Sequence, residues 1–200
     1  GQVELVCADI TEACGREAVL AAARRFGGMN TLINAAGVNR FSLLEQHDEA
    51  DIAALIGLNV TATLQLTHRL LPLLRHQGRA LVVNLGSTFG SIGYPGFSAY
   101  CASKFALRGF SEALRRELAD TEMKVLYIAP RATRTSNVAM DDPLEVADKV
   151  AQAIIREREE LYLGWPEKLF VRLNSLLPRV VDQALRKQLP IIQRFARNKP

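Results

Sequence analysis

Short apolar runs alternate with longer segments of helical periodicity along most of this chain. Each run is bounded by glycine, proline or polar residues, which is typical of buried strands. Between the runs, apolar residues recur every three or four positions, which predicts amphipathic helices. The predicted strands are Val3–Cys7, Thr31–Asn34, Leu81–Leu85, Lys124–Ile128 and Leu161–Leu163. The predicted helices are Thr11–Phe26, Asp48–His76, Tyr100–Leu118 and Pro143–Glu157, with a kink or boundary at Pro72.

Strands that are apolar on both faces and separated by helices predict a parallel sheet with right-handed crossovers. We therefore predict an α/β doubly wound fold over residues 1–165. Ligands of such folds bind beyond the carboxyl ends of the strands. The residues that follow the predicted strands are polar or glycine-rich, and they would meet at one edge of the sheet. They are Asp9, Asn34 to Gly37, Gly86-Ser87 and Pro130 to Thr135.

The composition is that of a folded protein. Hydrophobic residues make up 48% and charged residues 23% of the chain, which argues against disorder, collagen and coiled coil. No run of eighteen apolar residues occurs, which argues against a transmembrane helix. Cys7, Cys14 and Cys101 are too few and too scattered for a disulfide framework or a CxxC metal site. We therefore predict no metal and a cytoplasmic, reducing compartment.

The basic charge is concentrated in the last fifth of the chain. The net charge is +4, but residues 161–200 hold eight Lys and Arg against Glu167 and Asp182, while residues 1–160 are mildly acidic. This asymmetry does not describe a nucleic-acid-binding domain, so we expect no nucleic-acid partner.

Residues 166–200 are predicted to form a basic amphipathic extension. Apolar residues recur at helical spacing, with Pro178 dividing the stripe into two helices and Pro190 ending the second. Such a stripe either packs on the body, covers the substrate cleft or forms a subunit interface, or it lies on an anionic membrane surface. The sequence leaves these alternatives open.

One set of polar residues stands in a distinctive order. Asn59 lies in the long helix, Ser87 follows a strand thirteen positions before Tyr100, and Lys104 lies four positions after Tyr100. Together with Asp9-Ile10, Asn34-Ala35-Ala36-Gly37 and Pro130 to Thr135, this set resembles the short-chain dehydrogenase/reductase family over roughly residues 3–165. The resemblance implies a Rossmann-like fold and an NADP- or NAD-dependent oxidoreductase. Its partners would be a small-molecule carbonyl or alcohol and further copies of itself in a homo-oligomer. The segments after Ser87 and Thr135, which are mostly apolar, would line the substrate side of the site.

The residue types suit proton transfer beside a hydride-carrying cofactor. A tyrosine with a pKa of about 10 is a poor base at neutral pH, but a lysine one helical turn later favours the tyrosinate. By resemblance, Tyr100 is the acid/base, and Lys104 lowers its pKa and binds the nicotinamide ribose. Ser87 would hold the substrate oxygen, and Asn59 would anchor a water that links Lys104 to solvent.

The same resemblance implies the cofactor-binding residues. Adenine would contact Asp9 and Ile10, the turn at 34–37 would flank the adenosine, and the segment 130–135 would contact the carboxamide and phosphates. Arg131 stands where the family usually has glycine, and it either adopts a right-handed backbone or engages an anion. The full predicted set is Asp9, Ile10, Asn34, Ala35, Ala36, Gly37, Tyr100, Lys104, Pro130, Thr133 and Thr135.

Each of these residues also has a purely structural interpretation. Tyr100 would be a half-buried tyrosine at a helix start, with a solvated lysine beside it. Asn59 would be a polar break in a buried helix, and Ser87 an ordinary turn serine. The turn at 34–37 would simply end a strand, and Asp9 would be an N-cap or a turn residue of the next helix.

The glycine-rich turn that opens the family's fold does not occur in this sequence. No G-x-x-x-G-x-G pattern is present, and Val3–Cys7 resembles the family's third strand. In the family's strand order, 3-2-1-4-5-6-7, that strand would lack its neighbour and the next strand would expose an edge. We therefore expect an N-terminally truncated form that binds cofactor poorly and is inactive alone, and that does not reveal the choice between NAD and NADP.

A rival interpretation is a non-catalytic protein that uses the same fold to sense a nucleotide or to scaffold a partner. The presence of Asn59, Ser87, Tyr100 and Lys104 together favours an enzyme, because a scaffold has no need of all four groups.

Overall fold

The computed structural model describes residues 2–130 and 142–197, which form a parallel four-stranded sheet with the order β1-β2-β3-β4. The strands are β1 (Thr31–Asn34), β2 (Ala80–Leu85), β3 (Met123–Ala129) and β4 (Glu160–Tyr162). The helices are α1 (Ala13–Arg25), α2 (Glu49–Ile56), α3 (Thr63–His76), α4 (Ser98–Glu117), α5 (Pro143–Ile155), α6 (Trp165–Leu176), α7 (Pro178–Arg186) and α8 (Leu189–Arg197). A π-helical turn (Gly57–Ala62) joins α2 to α3, and a 3-10 turn (Thr88–Gly90) follows β2.

The sheet carries an apolar layer on each face, because alternate residues of its buried strands point to opposite sides. On one face, Val82 and Val125 pack with Leu70 of α3 and with residues of α1 and α4. On the other face, Val83 and Leu126 pack with residues of α5. The predicted α/β architecture with a parallel sheet is therefore confirmed.

The predicted strand at Val3–Cys7 is wrong. The described residues 2–9 form no strand, and Val3 and Leu5 are exposed. A strand needs a neighbour to pair with, and in the described chain β1 pairs only with β2. Ile33 of the edge strand β1 is also exposed. It lies on the face of the sheet that α5 covers at the neighbouring strands β2 and β3.

The long predicted helix is interrupted at Asn59 rather than at Pro72. The backbone widens into the π-helical turn around Asn59, whereas Pro72 lies inside α3, which continues to His76. Of the two alternatives predicted at Pro72, the boundary is therefore wrong, and the kink stays a prediction. Proline has no N–H for the carbonyl four residues earlier, and here that carbonyl belongs to exposed His68.

By length and composition alone, the helical segment Glu49–His76 would be able to cross a membrane. Its leucines Leu66, Leu70 and Leu74 nevertheless pack in the core beneath the sheet. A core helix of a soluble protein passes the same test, so we assign this segment to the α/β core.

The extension forms three helices instead of the two predicted. Pro178 is the first residue of α7, so the helix boundary predicted there is confirmed. Pro190 lies in the first turn of α8 and does not end the preceding helix. Proline is tolerated in a first helical turn because the N–H there has no helical acceptor. Val181 and Ile192 are buried, and Asn174 and Gln188 hydrogen-bond with Ser91 and Tyr94, so one side of the extension packs on the rest of the described chain.

Candidate active site

Tyr127 of β3 holds the segment that carries Ser87 through hydrogen bonds to the Ser87 backbone. Tyr127 is fully buried, and its hydroxyl donates to the Ser87 carbonyl (3.1 Å) and accepts from the Ser87 amide (3.3 Å). A Cβ atom at Gly86 or Gly90 would lie 2.2 or 2.3 Å from this tyrosine, so glycine is required at both positions. Burial raises the pKa of Tyr127, so its hydroxyl remains a donor. Ser87 Oγ itself accepts from the Phe89 amide (3.1 Å).

Sequence reasoning missed Tyr127. The available signal was a single tyrosine in an otherwise aliphatic buried strand, since a buried tyrosine hydroxyl usually requires a hydrogen-bond partner.

Tyr100 lies in the first turn of α4 with its ring half-buried. Burial raises its pKa, and hydrogen bonding with the Ser87 side chain acts in the opposite direction with a smaller effect. The expected lowering by Lys104 therefore does not dominate in this structure. The proximity of Tyr100 to Ser87 nevertheless brings two hydroxyl groups together at the carboxyl edge of the sheet.

Lys104 lies one helical turn after Tyr100, as the spacing predicts. Its Nζ atom is 5.6 Å from the centroid of the Tyr100 ring and donates to the Leu85 carbonyl (3.0 Å). The side chain is buried, and this burial lowers the pKa of Lys104 to about 8. An ammonium group has three N–H donors, so one acceptor among the described residues leaves two of them without a partner. The interpretation of Lys104 as a solvated surface lysine is thus wrong.

Asn59 joins the segment after β1 to helix α4. Its Oδ1 atom accepts from the Val38 amide (2.8 Å), and its Nδ2 atom donates to the Val38 carbonyl (2.8 Å) and to Ser103 Oγ (3.1 Å). Ser103 in turn donates to the Tyr100 carbonyl (2.8 Å). Asn59 is therefore linked through one residue to the helical turn that carries Tyr100. Ser103 is not among the site residues predicted from the sequence.

In the turn at 34–37, Asn34 stabilises the sheet, whereas Gly37 lies beside Asn59 and Lys104. Asn34 Nδ2 donates to Thr67 Oγ1 (3.0 Å) and to Asn84 Oδ1 (2.8 Å), so this buried side chain holds β1 to β2 and α3. After Ala35 and Ala36, the chain reaches Gly37. A Cβ atom there would lie 3.1 Å from Asn59 Oδ1 and 3.6 Å from Lys104 Nζ.

Asp9 and Ile10 lie in the segment that turns into α1. Asp9 Oδ1 accepts from the amide (2.8 Å) and the hydroxyl (2.7 Å) of Thr11, and these hydrogen bonds lower its pKa. The Ile10 carbonyl accepts from Arg16 (2.7 Å). These contacts match the turn interpretation of Asp9, whereas its interpretation as an N-cap is wrong because α1 begins after Glu12. The adenine contact stays a prediction.

Of the predicted segment after β3, Pro130 lies within the described residues. Its carbonyl accepts from the Thr88 amide (3.3 Å), which ties the end of β3 to the segment after Ser87. Arg131, Thr133 and Thr135 lie outside the described residues.

Aromatic rings surround Tyr100 on the side of the segment after Ser87. The centroids of Phe89 and Phe97 each lie 6.3 Å from that of Tyr100, and 5.2 Å from one another. Tyr94 stacks on Phe89 (5.1 Å), and Phe41 packs against Phe97 (5.2 Å). The candidate site thus combines hydroxyl and ammonium groups with an aromatic wall.

Comparison with known proteins identifies relatives of this arrangement. The family profile described as short chain dehydrogenase matches residues 1–144. A 3alpha-hydroxysteroid dehydrogenase of Mediterraneibacter gnavus is 32% identical over 114 residues, which are 57% of this chain and 46% of that protein. A 3-ketodihydrosphingosine reductase of Bacteroides thetaiotaomicron is 28% identical over 209 residues, covering 100% of this chain and 78% of that protein. The chain thus spans about half of the first relative's length.

A solved structure shows the same architecture. The short chain dehydrogenase from Burkholderia cenocepacia, crystallised in complex with NADP, superposes with a TM-score of 0.79 at 27% identity. The match covers 90% of this chain and 77% of the other.

Replacing Tyr127 by Phe should lower the free energy of unfolding by about 1–3 kcal/mol, because both backbone groups of Ser87 would lose their buried partner. Urea unfolding followed by circular dichroism would measure this change. Replacing Tyr162 by Phe provides a comparison, because among the described residues that hydroxyl is hydrogen-bonded to the Ser91 side chain and to no backbone group. An unchanged stability of the Tyr127→Phe protein would show that the Ser87 backbone is not held in this way.

Replacing Lys104 by Met should stabilise the protein below pH 8. The unfolded chain keeps this lysine protonated up to about pH 10.5, whereas in the folded chain its pKa is about 8. The unfolded state therefore binds more protons between these values, and the stability of the parent protein rises with pH across that window. The advantage of Lys104→Met should reach at most about 3 kcal/mol below pH 8 and disappear near pH 10.5.

Urea unfolding of both proteins at a series of pH values would measure this difference. A constant difference over the whole range would mean that Lys104 titrates in the folded chain at its ordinary pKa.

Proposed function

Because the chain belongs to the short-chain dehydrogenase family, we propose that it carries the catalytic site of an NAD(P)-dependent oxidoreductase that interconverts an alcohol and a carbonyl. The observation that carries the proposal is the meeting of Tyr100, Ser87 and Lys104 at the carboxyl edge of the sheet, with Asn59 holding the surrounding segments. Ligands of doubly wound folds bind at this edge.

The described residues fit the nicotinamide end of such a cofactor. Lys104 Nζ is buried and has two N–H donors without a described acceptor, which suits the hydroxyl groups of a ribose. Gly37 leaves open the space beside Lys104 Nζ and Asn59 that a side chain would fill. The bound cofactor supplies the hydride. NADP and NAD are both compatible with these residues, and Thr133 and Thr135 remain proposed contacts to its carboxamide and phosphates.

Proton transfer is the task of this chain's own residues. Tyr100 would donate a proton to the substrate oxygen during reduction and accept one during oxidation. Its raised pKa keeps the phenol protonated at neutral pH, which suits the donor role. Ser87 would orient the substrate oxygen and stabilise developing charge on it, and the cation of Lys104 would favour the tyrosinate that remains.

Asn59 would act chiefly by position. Its amide is bonded to both backbone groups of Val38 and to Ser103, so it sets the distance between the segment after β1 and helix α4. Oδ1 retains one lone pair, which is the place at which a water on the path from Lys104 to solvent would bind.

A hydrophobic substrate fits the surroundings of Tyr100. Phe89 and Phe97 lie next to the reacting hydroxyl, and Phe41 and Tyr94 extend the aromatic wall. The two curated relatives are named for a hydroxysteroid and a ketodihydrosphingosine, both of which are apolar molecules with an alcohol or ketone. Apolar walls with a few polar groups are common in ligand sites, so the walls define a substrate class rather than one compound.

In a form of the protein that includes the glycine-rich N-terminal segment expected from the family, replacing Tyr100 by Phe should reduce turnover by about 10²–10⁴-fold, since the general acid is lost. Cofactor binding, measured by NADPH fluorescence titration of the same preparation, should change little, because Lys104 keeps its position on α4. Retained turnover would exclude Tyr100 as the acid. Cellular function that persisted at full level in this variant would favour the rival, a non-catalytic nucleotide sensor or scaffold.

We also propose that the extension contacts an anionic membrane surface through its exposed side. Ile191 and Phe195 lie one helical turn apart on α8 and are both largely exposed, and Arg194 lies beside them. An apolar strip bordered by cations is the pattern of helices that bind at the surface of anionic bilayers. The buried side of the same extension packs on the body, so the two interpretations of its amphipathic pattern apply to different faces.

The double substitution Ile191→Glu and Phe195→Glu should abolish flotation of the protein with vesicles containing phosphatidylserine at low salt. The double substitution Leu144→Glu and Ile155→Glu is the matched control, because it adds the same charge at two exposed apolar residues of α5, outside the extension. Pure phosphatidylcholine vesicles should bind neither protein. Absence of flotation by the parent protein at low salt, or equal loss in the control, would overturn this proposal.

A further inference from the structure

A cavity lies away from the candidate active site, between α4, β4 and α6. Its volume is about 650 Å³, which is in the range of about 300–1,000 Å³ usual for ligand pockets. None of the residues Asn59, Ser87, Tyr100 and Lys104 lines it. We call it the basic cavity because its lining includes four cationic side chains and one carboxylate. These are Arg108, Arg158, Lys168, Arg172 and Glu160.

Three of these cations have no counter-ion among the side chains that the structure describes, which are those of residues 2–130, 142–164 and 168–196. Arg158, Lys168 and Arg172 form no ion pair there, whereas Arg108 pairs with Glu112 (3.1 Å). Glu160 is itself directed toward Arg115, at 3.9 Å. Like charges one turn apart on a helix repel each other, and Lys168 and Arg172 have this spacing on α6. Unpaired cations that converge on a concave surface raise the local concentration of anions.

The remaining lining defines the rest of the ligand. Leu161, Val171 and Leu176 supply apolar surface, and Tyr162 and Ser175 supply hydroxyl groups. Guanidinium groups match the geometry of phosphate oxygens, and three unpaired cations suit a dianion better than a monoanion. The volume is several times what a single phosphate group requires. We propose that the basic cavity binds an organic phosphate, with the phosphate at the cations and an apolar moiety against the leucine and valine side chains.

The basic cavity is connected to the segment that follows Ser87. Two of its lining residues meet the side chain of Ser91: Arg108 donates to Ser91 Oγ (2.8 Å), and the Tyr162 hydroxyl lies 3.0 Å from it. Asn174 of α6 donates to the Ser91 carbonyl (3.3 Å). Ser91 is four residues after Ser87, while Arg108 is two turns, about 12 Å, along α4 from Tyr100. A ligand between α6 and Arg108 would therefore restrain the same segment from outside the active site.

Binding of n-octyl phosphate, with inorganic pyrophosphate as the second probe, tests this proposal by isothermal titration calorimetry at constant ionic strength. The parent protein should bind octyl phosphate saturably at one site, and more tightly than pyrophosphate because of the apolar contacts. The double variant Lys168→Gln and Arg172→Gln should bind it at least about tenfold more weakly. The matched control, Arg186→Gln and Lys187→Gln, removes the same charge from residues outside the lining and should bind as the parent does.

A third variant separates the cavity from its charge. Ser175→Phe introduces bulk at the lining without changing any charge, and it should also weaken octyl phosphate binding. Absence of saturable binding by the parent protein would overturn the proposal. So would an equal loss in both charge variants, which would indicate general attraction to a basic extension. Binding of pyrophosphate as tight as that of octyl phosphate would overturn the organic part of the assignment. The measurement requires no turnover, so its result is independent of the proposed oxidoreductase activity.

Discussion

The arrangement of the site depends on the buried amide of Asn59. This side chain is bonded to both backbone groups of Val38 and to Ser103, which holds the carbonyl of Tyr100. A buried amide without partners is costly, so these contacts specify one relative position of three segments. The π-helical turn is the local distortion that places Asn59 among them. Such turns inside α-helices are frequently found at functional sites.

The regular elements were largely predictable because burial imposes a period on the sequence. β1, β2, β3 and α4 agree with the apolar pattern to within two residues at each end. The pattern failed where an element depends on a neighbour. Val3–Cys7 alternates like a strand but has no described strand to pair with. Pro72 is a residue type that breaks helices, but the carbonyl that it leaves without an N–H donor belongs to exposed His68. Neither the partner nor the exposure can be read from the local sequence.

The residues proposed for proton transfer were predictable from their order in the chain, but those that support them were not. Tyr127, Ser103 and Ser91 act through contacts with residues 17 to 83 positions away, and Ser103 also through the Tyr100 carbonyl one turn earlier. Local patterns carry no information on such contacts. The pKa of Tyr100 was likewise not predictable from the local sequence. Burial raises this pKa, whereas the lysine four residues later was expected to lower it.

The open side of β1 has a consequence for handling the chain on its own. Its outer backbone N–H and C=O groups have no described strand beside them, and Ile33 is exposed on one face. An unpaired edge with an apolar side chain is a template for intermolecular sheet formation. Concentrated solutions of this chain would therefore aggregate through Thr31–Asn34, and a charged residue at position 33 would act as a gatekeeper against that association.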